Sequence, residues 1–93
     1  MRLRNDEITT IRNVIEETFG KSRIFLFGSR LDISKKGRDI DLYVIPEKKG
    51  DLKSTLIAKS RLQRLLHKPV DLVIHRNFER FIEQEGLRGV ELK

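Results

Sequence analysis

The chain has 93 residues, enough for one domain with a modest core, so residues 1–93 are read as a single domain. Charged residues make up 37% and apolar residues 38%, a balance typical of soluble domains, and with no cysteine, disulfides and thiolate metal sites are excluded. The formal net charge of +6 favours phosphate-bearing or acidic partners, and no apolar run approaches a bilayer span, so a cytoplasmic protein with no membrane partner is expected.

The first element is a helix from about Asp6 to Phe19. Asn5 and Asp6 are cap residues, Glu7 suits the positive end of the dipole, and Ile8, Ile11, Val14, Ile15 and Phe19 form an apolar stripe ended by Gly20. Arg23 to Phe27 is apolar on both faces, which marks a central strand. Gly28-Ser29 breaks it, a short helix or turn follows to about Ile33, and Ser34 to Arg38 is a basic loop. Asp39 to Ile45 is the second strand, ended by Pro46.

Asp51 caps the next helix, whose broad apolar stripe is Leu52, Leu56, Ala58, Leu62, Leu65 and Leu66. Pro69 closes that segment, and Val70 to His75 is the third strand. Asn77 caps a last helix carrying Phe78, Phe81 and Ile82, which Gly86 stops, and the tail from Leu87 to Leu92 adds a short edge strand. The order predicts an α+β, two-layer fold: a small mixed sheet with helices packed on one face and three aspartates on the other.

Those aspartates are Asp39, Asp41 and Asp71. Strand side chains alternate, so Asp39 and Asp41 share a face. Adjacent carboxylates in an apolar strand are costly unless something neutralises them. With Asp71 from a neighbouring strand they form an oxygen-rich cup suited to two Mg²⁺ ions, the arrangement that clamps the attacking and leaving oxygens of a phosphoryl displacement. Gly28 lets a polyphosphate approach the backbone, the Ser29 hydroxyl adds a donor, and Arg30 offers two parallel hydrogen bonds to a phosphate. Lys35, Lys36 and Arg38 are placed near the same phosphates. Lys59, Arg61, Arg64, His67 and Lys68 read as the solvated face of their helix, His75 as a strand-end residue rather than a ligand, and Tyr43 as packing.

The pattern F-G-S-R, then nine residues after Ser29, then D-I-D-L, and the later V-D-L-V resembles the DNA polymerase beta-like nucleotidyltransferase superfamily, and in its size the minimal nucleotidyltransferase (MNT) group. The likeness runs from Ile24 to the terminal helix; one departure is Arg38, where many members carry serine. The resemblance implies the nucleotidyltransferase fold, ATP as donor, two Mg²⁺ ions, Gly28, Ser29 and Arg30 as nucleotide-binding residues, and Asp39, Asp41 and Asp71 as catalytic metal ligands. It further implies the antitoxin half of a two-component module that attaches AMP to a tyrosine of an all-helical HEPN-type partner. Two alternatives remain: a small molecule or an RNA end as acceptor, and an antitoxin that works by binding alone. A homo-oligomer that completes the acceptor site from a neighbouring subunit fits so small a domain.

Overall fold

The computed structural model describes residues 3–28 and 39–93. The elements run α1 (Asn5–Phe19), β1 (Ser22–Phe27), β2 (Ile40–Pro46), α2 (Leu52–Leu66), β3 (Val70–Ile74), α3 (Phe81–Leu87) and β4 (Val90–Leu92). The four strands form one sheet in the order β3-β2-β1-β4. β1 is central, as its two apolar faces require, and pairs antiparallel with both β2 and β4. β2 and β3 run parallel, because α2 carries the chain back to the starting end of the sheet. The mixed sheet and the α+β class are as expected, and the tail does form the short edge strand.

One face of the sheet carries the main core. Ile11, Val14, Ile15 and Phe19 of α1 and Ala58, Leu62 and Leu66 of α2 pack on Ile24, Ile40, Leu42, Val44 and Val70. The expected α1 stripe is therefore the buried one. The α2 stripe is narrower than predicted: Leu52, Leu56 and Leu65 are exposed. Ala58, Leu62 and Leu66 recur every four residues and make one ridge, and the other leucines lie off it.

Helices on a single face describe α1 and α2 only. α3 lies on the other face, where Ile82 packs against Phe25, Phe27 and Tyr43. The helix begins at Phe81 rather than near Asn77, and Gly86 lies inside it instead of stopping it. The reason is close approach. A Cβ on Gly86 would stand 2.5 Å from Cγ of Tyr43, so only glycine lets α3 settle on that ring. Gly89 has a similar task before β4, since a Cβ there would stand 2.3 Å from the Leu26 carbonyl oxygen. β4 is then clamped by a two-pronged ion pair, Arg23 Nη2 to Glu91 Oε1 at 2.9 Å and Nε to Oε2 at 3.1 Å.

α1 and α2 are tied at their ends. Glu7, 4% exposed, accepts hydrogen bonds from the Arg4 amide at 3.0 Å and from Lys68 Nζ at 2.8 Å. The Arg4 amide bond first and Lys68 second hold the Glu7 carboxyl below its usual pKa, against the upward push of burial. Arg61 reaches Glu17 at 3.0 Å, so Arg61 within α2 and Lys68 just beyond its end both pair with carboxylates of α1.

Candidate active site

The two central carboxylates are brought together by strand register. β2 and β3 are parallel and pair Asp41 with Asp71, Leu42 with Leu72 and Tyr43 with Val73. On the other side of β2, Asp41 is opposite Phe27, the last residue of β1. Asp41 is therefore flanked by Asp71 and Phe27 on one rung, at the end of the sheet where β2 and β3 start and β1 finishes. The strand pattern points all three side chains to the face that carries α3, two residues along the strands from the Tyr43 rung.

Their environments differ. Asp41, on the inner strand, is 5% exposed, whereas the side chain of Asp71, on the edge strand, is 48% exposed. Asp39 lies two residues ahead of Asp41, just before β2, and is half-buried. Gly28 follows directly on β1 and is exposed. Ser29 and Arg30, like Lys35, Lys36 and Arg38, lie outside the described residues.

Among the described residues no three His, Cys, Asp or Glu side chains converge as a ready metal cage. The expected cup is thus a register pair, Asp41 and Asp71, with Asp39 beside it in the chain. An oxygen-only pair of carboxylates still suits Mg²⁺. That ion is commonly held by one or two carboxylates, with water and substrate phosphates completing its shell.

The same face carries a second polar cluster that no sequence pattern marks. Glu83 of α3 is fully buried and collects five contacts. Its Oε1 accepts from the Tyr43 hydroxyl at 2.7 Å and lies 2.7 Å from His75 Nδ1. Its Oε2 accepts from the amides of Arg76 at 2.9 Å and Asn77 at 2.8 Å, and lies 3.2 Å from Arg80 Nη1. Burial alone would raise the Glu83 pKa. The amide of Asn77, then His75, the Arg76 amide and Tyr43 outweigh it and hold the carboxyl at about 2. Burial first, and Glu83 second, push the Tyr43 hydroxyl well above its ordinary value.

This cluster joins β2, the end of β3 and α3 beneath the aspartate rung. Tyr43 is a packing residue, as read from the sequence, and His75 spends its ring on Glu83 and on stacking against Phe78 at 4.0 Å. Nothing in the local sequence around Glu83, a charged stretch of a short helix, marks it as buried. Lys59 belongs by its sequence pattern to the solvated face of its helix, yet its Nζ lies 3.9 Å from Asp71 Oδ1.

The fold is similar to solved toxin–antitoxin structures. A chain of the complex of a tri-AMPylated HEPN toxin with an MNT antitoxin from Shewanella oneidensis matches with a TM-score of 0.77 and 24% identity, over 98% of this chain and 72% of that one. A chain of the toxin–antitoxin MntA–HepT matches with a TM-score of 0.77 and 23% identity, over 97% and 72%. A chain of a toxin–antitoxin structure with AMP-PNP matches with a TM-score of 0.58 and 26% identity, over 72% and 56%. No curated protein matches the sequence. The polymerase beta nucleotidyltransferase profile matches residues 9–92, which takes in every strand and the whole aspartate rung. The chain belongs to the polymerase beta nucleotidyltransferase family.

Proposed function

We propose that the chain transfers AMP from ATP, with Mg²⁺, to a hydroxyl of a HEPN-type partner protein and so acts as that partner's antitoxin. The observation that carries this reading is the pairing of Asp41 with Asp71 on one rung, in a chain whose family transfers nucleotides. The partner is inferred from the similar structures, which include an MNT antitoxin with an AMP-modified HEPN toxin and a toxin–antitoxin structure holding AMP-PNP. An ATP-consuming reaction of this kind belongs in the cytoplasm.

In this reading the acceptor oxygen bonds to the α-phosphorus of ATP, the bond from that phosphorus to the bridging oxygen breaks, and pyrophosphate leaves. Asp39, Asp41 and Asp71 would hold Mg²⁺, which would supply positive charge to the phosphate oxygens. Asp41 is held rigid by burial on the inner strand. Asp71 is open to solvent at the sheet edge, so it meets the acceptor hydroxyl and takes its proton. Gly28, at the end of β1, leaves the backbone accessible to the triphosphate, with Ser29 and Arg30 as further phosphate contacts.

The test is a transfer assay with α-phosphate-labelled ATP, Mg²⁺ and a HEPN-type partner. The chain's single tyrosine, Tyr43, is fully buried, so tyrosine label belongs on the partner and not on the chain itself. We expect label on the partner, reduced about a hundredfold or more by the joint change Asp39→Ala and Asp41→Ala with the fold retained. Label on RNA or on a small molecule instead would move the acceptor. Partner binding with no label from any nucleotide would leave an antitoxin that acts by binding alone.

A further inference from the structure

We infer that Lys59 is a positioning residue for the aspartate rung, a tethered cation that occupies Asp71 until a divalent ion takes its place. The inference rests on the reading of Asp41 and Asp71 as cation ligands. Like charges directly opposite on neighbouring strands repel, and Asp41 and Asp71 are register partners. Asp41 is 5% exposed on the inner strand, whereas the side chain of Asp71, on the edge strand, is 48% exposed.

α2 lies across the opposite face of the sheet, and Lys59 reaches round the β3 edge to bring Nζ within 3.9 Å of Asp71 Oδ1. The anchor of that reach is fixed. Ala58 and Leu62, on either side of Lys59 along the helix, are fully buried in the core. One turn further on, Gln63 Oε1 accepts from the Val70 amide at 3.1 Å, so α2 is pinned to the residue just before Asp71. An ammonium on a flexible stem suits a group that must give way, since it holds one carboxylate oxygen as a point charge and loses little when displaced.

The test measures cation binding apart from catalysis. Mn²⁺ is titrated into the nucleotide-free chain and followed by its electron paramagnetic resonance, for the parent, Lys59→Met and Lys59→Arg. Removing a like charge next to the incoming ion should tighten Mn²⁺ binding about three- to tenfold in Lys59→Met, and Lys59→Arg should restore the parent affinity. In the transfer assay, Lys59→Met should lower the Mg²⁺ concentration needed for half-maximal rate by the same factor, with kcat unchanged at saturating Mg²⁺, because Lys59 has already given way once the ion is bound. Equal Mn²⁺ affinity in all three proteins would overturn the role of Lys59 and leave the aspartate site standing. Absence of Mn²⁺ binding to the parent would overturn the site itself, and with it this inference.

Discussion

At the scale of single residues, the most constrained group among the described residues is one that touches no reacting atom in the proposed chemistry. Glu83 is a fully buried carboxylate held by a hydroxyl, an imidazole, two amides and a guanidinium. Its pKa falls from 4.5 to about 2 on folding, so the unfolded chain binds the proton more readily. The stability this contributes is fully present above about pH 4.5 and is lost as the pH drops toward 2. Urea denaturation across that range should therefore show a steep acid limb in the parent. Glu83→Gln should flatten that limb and, at neutral pH, lower stability by about 3 kcal/mol, the cost of breaking a buried charged network on one side. An unchanged acid limb in the variant would mean that another carboxylate drives acid unfolding.

At the scale of elements, α3 shows how one small residue places a helix. Its apolar contribution is slight, since Phe78 in the preceding turn and Phe81 at its start are both exposed. What seats it is the absence of a side chain at Gly86 over Tyr43, together with the Glu83 cluster. Gly86→Ala would drive a methyl into Cβ and Cγ of a ring that is itself fully buried and cannot swing away. Helix propensity favours alanine, but only by about 1 kcal/mol. Overpacking should outweigh it, with a net loss of about 2 kcal/mol and a Tm lower by about 10 °C in a thermal scan. A Tm equal to or above the parent's would show that α3 shifts freely on the sheet. α2 is held differently, by a single ridge of Ala58, Leu62 and Leu66 and by Asp51, which accepts from the Ser54 amide at 2.6 Å.

At the scale of the whole molecule, charge is the property with the longest reach. A net +6 on 93 residues steers the chain toward a partner of opposite sign before any contact is made. Association with the proposed HEPN-type partner, followed by stopped flow, should slow by about tenfold between about 0.05 M and about 0.5 M salt, with dissociation changed far less. A rate insensitive to salt would show that the docking face is locally neutral. Among the described residues no helix is long and apolar enough to cross a membrane.

Much of this architecture was legible in the chain. Helical periodicity marked α1 and located α2, two-sided apolarity marked β1 as central, and the one-residue gap between Asp39 and Asp41 declared a shared face. These are local signals: each depends on a few neighbouring residues and on the fixed periods of helix and strand. The sequence by itself therefore determined the order of elements, the α+β class and the carboxylates in the strands. Only the tertiary structure decided which strands are neighbours, that Asp41 and Asp71 share one rung, and that Lys59 reaches the latter from the far side of the sheet. Tertiary packing also placed α3 on the aspartate face, left Leu52, Leu56 and Leu65 outside the core, and buried Glu83 in a segment that reads as surface. These outcomes depend on contacts between residues distant in the chain. Packing, register and desolvation act there together, and no window of sequence contains both partners.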